Sequence, residues 1–364
     1  MNERTIHSGD IRSDLDPARR RSLGLRRISE FVATYGLAVV FVLVIAIFGF
    51  LRPTTFLSAG NINNLLISQS VTALLALAVM VPLATNRFDI SAGYHAGMAQ
   101  VFVIGLQVIN HVPWGVAALA VIALGLLVGW LNGVLITVFK IDAFIATLGT
   151  GTLLYGISNW YSGGQQIVGL DLSPTFTGLV QVVGWVPLPA VYVAIVALAL
   201  WIVTEYVPVG RNLYVIGANP RAAELTGIHV NRHIVGAFMA SGFLCAVAGV
   251  VLASILQTGS ASVGPEYLLP AFAGALLGAT SIRPGRVNVG GTILAVFVLA
   301  MTFSGVQQMG ASFYVEYFFN GGILIVAVGL SVYAAARRRR MASAANARAK
   351  PADAPSQPTT ETQF

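Results

Sequence analysis

The chain has 364 residues, 56% of them hydrophobic and only 10% charged, with a net charge of +7. Soluble domains carry roughly 25% charged residues, so composition excludes an ordinary soluble globular protein. The positive charge sits at the chain ends and between apolar runs, which fits membrane orientation and argues against nucleic acid as a partner.

Met1 to Arg27 is polar and arginine-rich. Residues 1–30 are read as a cytoplasmic arm, with Arg19-Arg20-Arg21 and Arg26-Arg27 near anionic headgroups. No small-residue cleavage pattern follows the first apolar run, so this is not a signal peptide. Residues 31–336 form the expected transmembrane domain. Apolar runs long enough to span a bilayer predict about ten transmembrane helices. They are Tyr35–Leu51, Ile62–Thr85, Ile90–Asn110, Pro113–Val138, Ala143–Tyr161, Val186–Val207, Ile234–Leu256, Leu268–Thr280, Val289–Met309 and Phe313–Ala336. A basic run and an Ala/Pro/Ser/Thr-rich tail, predicted to be disordered, fill residues 337–364. The expected fold class is an all-α polytopic inner-membrane protein with both termini cytoplasmic.

Lys and Arg test that topology. With the N-terminus inside, 20 of the 21 basic residues fall on the cytoplasmic side and only Arg52 falls outside, as the positive-inside rule requires. Two places are irregular. The eighth span is short and lies between Gly264-Pro265 and Pro284-Gly285, so a broken or partly inserted helix is an option. Asn86, Arg87 and Asp89 interrupt the chain after the second span. Interrupted segments in two halves mark transport paths in many transporters.

A polar island, Gly210 to His233, falls between the sixth and seventh spans, and the loop is placed at about 209–233. It encodes a short helix. Asn219 is a good N-cap, Pro220 suits the first helical position and Gly227 suits the residue past the end. A helix this short gains little by itself, so something must pack on it. It is either a plain loop or a docking knob for a cytoplasmic partner.

Catalytic chemistry is absent from the pattern. His7, His95, His111, His229 and His233 show no metal-ligand spacing, and the single cysteine, Cys245, lies in an apolar run. Asp89, Glu205 and Glu316 lie near span ends, so no proton relay crosses the bilayer; Glu205 is expected to be solvated or paired with Arg211. Neither lysine, Lys140 or Lys350, has the Gly-rich context of a phosphate-binding loop. If ATP drives this protein, another chain binds it. The chain is not expected to be an enzyme or to hold a metal or cofactor of its own. Uncharged polar residues within or beside the spans remain as candidates for a translocation path: Ser91, Gln100, Asn132, Thr147, Thr150, Asn159 and Ser304, with Asp89. Helix-packing glue is the commoner role for such residues.

With these residues laid out, the chain resembles the permease subunits of bacterial ABC importers for ribose, xylose and related monosaccharides. The resemblance covers roughly Phe56 to Tyr333. Four blocks carry it: Thr85 to Gly93; Asn132-Gly133 with Ile141 to Thr150 and Ser162 to Ile167; Gly217 to Glu224 with Gly227; and Leu277 to Ser281 with Gly285-Arg286 and Gly290 to Thr292. It implies ATP-driven import of a neutral monosaccharide or sugar alcohol. The implied partners are a cytoplasmic ATP-binding subunit carrying the ATP and Mg, a periplasmic solute-binding protein, and a second permease copy in the lipid membrane. The third block would be the coupling helix seated on the ATPase, with Asn219, Pro220, Ala222, Ala223, Glu224 and Gly227 as its docking segment. Branched-chain amino acids or nucleosides are the other substrate classes within the family, and a self-sufficient secondary transporter is the rival outside it. The chain departs from the family pattern twice: Asn86 and Arg87 replace two glycines, and Arg283-Pro284 replaces a hydrophobic residue and a glycine.

Overall fold

The computed structural model describes residues 17–312, 314–323, 325, 326 and 329, with residues 17–33 described by their backbone. Helices dominate. They are α1 Pro17–Leu51, α2 Ala59–Ala84, α3 Ser91–Val108, α4 Trp114–Thr137, α5 Ala143–Ser162, α6 Pro174–Thr177, α7 Leu188–Tyr206, α8 Pro208–Ala218, α9 Pro220–Leu225, α10 Val230–Leu256, α11 Val263–Glu266, α12 Leu268–Gly278 and α13 Val289–Gln308. Residues 315–323 are also helical, and much of the expected tenth span lies outside the described residues, as does the tail. The only strands among the described residues form two short antiparallel pairs. One joins Ile167–Val168 to Thr258–Gly259, tying the segment after α5 to the end of α10; the other is a hairpin of Val182–Val183 with Val186–Pro187.

Among the described residues six helices are long and apolar enough to cross a membrane: α2, α4, α7, α10, α13 and the Thr34–Leu51 part of α1. The chain is thus an all-α membrane protein. Its sequence expectations shift in three places. The first helix begins at Pro17, well before Tyr35, so the later half of the arm is continuous with the first span. The polar island holds two helices, since α8 precedes the expected α9. The eighth span is short and unbroken: α12 covers Leu268–Gly278, and its 11 residues rise about 16 Å, roughly half of a ~30 Å hydrocarbon core, with the separate α11 before it.

The centre is built on α2 and α10, the two most enclosed of the six apolar helices. In a membrane, close backbone approach through small residues holds helices together. Gly125, Gly129 and Gly133 recur every fourth residue on α4, where α10 crosses. A Cβ at Gly129 would collide with the Phe238 carbonyl oxygen, and one at Gly133 would lie 2.7 Å from the Val235 Cα. Farther along α10, Gly249 admits the Ala96 carbonyl of α3 in the same way. The tight α3–α10–α4 packing brings the polar residues of these helices face to face.

Candidate coupling helix and buried carboxylate network

The α9 helix forms because its ends are chemically closed. The Asn219 side-chain oxygen accepts the Ala222 N–H at 3.1 Å, and Pro220 occupies the first turn, where its missing N–H costs nothing. At the other end Gly227 stands at φ 82°, and the Ile228 N–H donates to the Ala223 carbonyl at 3.1 Å, the 6→1 bond of a Schellman closure. Asn219, Pro220, Ala222, Glu224 and Gly227 are exposed, whereas Ala223 is fully buried with Ile136, Ile216 and Phe238. The small size of Ala223 therefore serves packing on the chain's own bundle. Leu225 is 81% exposed at the end of α9. Sequence reasoning passed over it, although a leucine beside a helix cap on a polar island was the available signal. Glu224 pairs with Arg221 at 3.4 Å on the open surface, a contact of little energy. Just beyond, His233 lies between Asn212 at 3.2 Å and the His229 carbonyl at 2.9 Å, which engages both ring nitrogens.

The interruption between α2 and α3 builds the second feature. After Pro82 the helix ends, and Asn86 adopts φ 59°. This left-handed conformation suits glycine, and asparagine is among the few other residues that tolerate it. That is the physical basis on which Asn86 can stand where the family carries glycine. The turn delivers Asp89 into the bundle, where it is 3% exposed. Its Oδ1 accepts the Ser91 N–H at 3.1 Å and the Ser91 hydroxyl at 2.5 Å; its Oδ2 accepts the Ser241 hydroxyl at 2.7 Å. The Asn132 amide donates to Ser91 Oγ at 3.0 Å, and the Thr150 hydroxyl donates to Asn132 Oδ1 at 2.7 Å. Donors thus run from α5 through α4 and α3 to the carboxylate, and from α10 on its other side. Among the described residues Asp89 forms no salt bridge, so these hydrogen bonds compensate its burial. Thr147 steadies the same turn by accepting the Ile90 N–H at 3.0 Å.

Of the path candidates, Asp89, Ser91, Asn132, Thr147 and Thr150 come together at this point, all buried. The other three lie apart. Gln100 donates to the Thr258 carbonyl at 2.8 Å, at the end of α10; Asn159 donates to Tyr155 of its own helix; Ser304 joins Asn61 and Gln308. Asp89 accepts the Ser91 N–H at the start of α3 and also crosses to α10, so it joins the two helices. Ser241 completes the network from a position 152 residues away.

Glu205 overturns its expected pairing. It binds Arg283 and Arg286 of the α12–α13 segment, the latter at 3.5 Å, whereas Arg211 is exposed. The Arg286 guanidinium also lies 3.8 Å over the Tyr214 ring of α8. Burial pushes the Tyr214 phenol above its ordinary pKa, with Arg286 opposing.

The profile of a family described as "branched-chain amino acid transport system / permease component" matches residues 61–328. The chain belongs to this permease family. It is 32% identical over 321 residues to the galactose/methyl galactoside import permease of Haemophilus influenzae, covering 83% of this chain and 95% of that protein. It is 33% identical over 295 residues to the ribose import permease of Bacillus subtilis, covering 79% and 89%. The D-allose transport system permease of Escherichia coli is 28% identical over 296 residues, covering 81% and 90%. No solved structure matches the chain. The four-block resemblance to monosaccharide importer permeases is borne out by these relatives, which are transport permeases rather than enzymes. The permease is a multi-pass inner-membrane protein.

Proposed function

We propose that this permease is the membrane subunit of an ABC importer that carries a neutral monosaccharide or sugar alcohol into the cytoplasm. The observation that carries the reading is near-full-length similarity to import permeases for galactose, ribose and allose. The family description mentions branched-chain amino acids, but these sugar permeases favour a monosaccharide. The capped, exposed α9 and the missing phosphate-binding loop support ATP hydrolysis on a separate chain. The finer parts of the proposal are ten spans with both ends cytoplasmic, a second permease copy, and a solute-binding protein outside. Basic-residue placement supports that topology. The chain carries no cofactor or catalytic group of its own; ATP and Mg belong to the partner.

In this reading Asn219, Pro220, Ala222, Glu224 and Gly227 form the docking face for the ATP-binding subunit, and Leu225 supplies its apolar anchor. Ala223 fixes the helix to the permease from behind. The Asp89 network holds α3, α4, α5 and α10 together beside the path, and Gln100, Asn159 and Ser304 serve it at other depths. Replacing Glu224 with Lys and Gly227 with a bulky residue tests the assignment. Uptake should fall while the permease stays in the membrane; unchanged uptake would remove α9 from the docking site.

A further inference from the structure

The α8 helix touches both interrupted segments of the fold. Its inward face carries Gly210, Leu213, Tyr214 and Gly217, spaced as one helical stripe. At Gly217 a Cβ would collide with the Ala84 carbonyl oxygen and lie 3.3 Å from the Asn86 N–H nitrogen, so only glycine fits against the turn that presents Asp89. Three residues back, Tyr214 packs under Arg286 of the 279–288 segment. Glu205, in the last turn of α7, binds Arg286 and Arg283 of that same segment; its side chain is 15% exposed. The segment is fastened to α1 as well, since the Ser281 hydroxyl and the Ile282 N–H both donate to the Thr34 carbonyl, at 2.9 and 3.0 Å. Ile282 is held there at φ 60°, a costly conformation for a β-branched residue.

The joints of α8 have no slack. Val207 alone separates it from α7, and Asn219 alone separates it from α9. Both departures from the family pattern, Asn86-Arg87 and Arg283-Pro284, lie in the segments that α8 contacts.

We propose that α8 is a lever joining the 85–90 and 279–288 segments, with Gly217 and the Glu205–Arg283–Arg286 cluster as its positioning residues. A displacement of α9 then reaches the Asp89 turn and the α12–α13 segment together. The direction of use rests on the reading of α9 as the docking helix; the mechanical link between the two segments does not.

Amide exchange on the full-length permease in lipid nanodiscs tests the link without any transport. Glu205→Gln keeps the side-chain volume and touches only the 279–288 side. Exchange should rise about tenfold at 279–288, the scale of one lost charge-assisted hydrogen bond, and should also rise severalfold at 85–90. Gly217→Ala should do the reverse, loosening 279–288 from the other end. Glu205→Asp, which keeps a carboxylate for both arginines, should retain most of the protection. Exchange that rises only beside each substitution overturns the lever. If Gly217→Ala does not fold, the volume-neutral Glu205→Gln and the charge-keeping Glu205→Asp still decide. Absence of ATP-driven uptake by the unaltered permease with its partners would sink the docking reading alone, because the exchange result stands without it.

Discussion

Removing the Ser241 hydroxyl is the sharpest probe of the buried network. Asp89 accepts three hydrogen bonds, and Ser241→Ala takes away the one to Oδ2 while leaving those from Ser91 in place. A hydrogen bond to a charged group contributes about 1.5–3 kcal/mol, and the partner left behind is a buried carboxylate. Neutral side-chain hydrogen bonds within membrane proteins average nearer ~0.6 kcal/mol. Thr150→Val removes such a neutral bond, to Asn132 at 2.7 Å, with little change of shape. Ser241→Ala should therefore cost at least about 1 kcal/mol more than Thr150→Val. The assay is reversible unfolding of the purified permease in mixed micelles, followed by the fluorescence of its five tryptophans. The double variant should depart from additivity, because both bonds belong to one network. Equal losses, or a larger loss for Thr150→Val, would refute the view that the carboxylate anchors the network.

Other substitutions probe the remaining pieces. Asn86 sits at φ 59°, so Asn86→Gly should be tolerated while Asn86→Val costs about 1–2 kcal/mol, measured in the same unfolding assay. Gly129→Ala should force α4 and α10 apart and cost about 1–3 kcal/mol; Gly149→Ala, with open space around it, should be neutral or gain up to ~1 kcal/mol of helix propensity. Leu225 is 81% exposed, and burying a leucine contributes about 1.5–3 kcal/mol. Leu225→Ser should then weaken binding of the ATP-binding subunit roughly ten- to hundredfold, read by titration against the permease in nanodiscs, with no loss of permease stability.

Much of this architecture was legible because membrane helices and helix caps are written locally. Asn219, Pro220 and Gly227 announce α9 within nine residues, and the structure closes the helix with those groups. Asp89, Ser91, Asn132, Thr147 and Thr150 stood out as polar residues among apolar ones, and they do converge. Their common purpose was not readable, because the residue that completes the network, Ser241, comes from α10. The same limit explains Glu205. Arg211 is close in sequence, but the corner at Val207 turns α8 so that Tyr214 and Gly217 face inward and Arg211 faces solvent. The partners of Glu205 arrive from 78 and 81 residues away. Leu225 escaped notice because it looked like an ordinary helical leucine until its exposure was known.

The measurement that bears most directly on the account is uptake into proteoliposomes with ATP enclosed. The permease alone is compared with the permease plus the ATP-hydrolysing subunit that co-purifies with it, with periplasmic extract and radiolabelled galactose, ribose, allose and leucine outside. The account predicts ATP-dependent accumulation of a monosaccharide only in the partnered vesicles. Gradient-driven accumulation by the lone permease, or partnered uptake of leucine and no sugar, would contradict it.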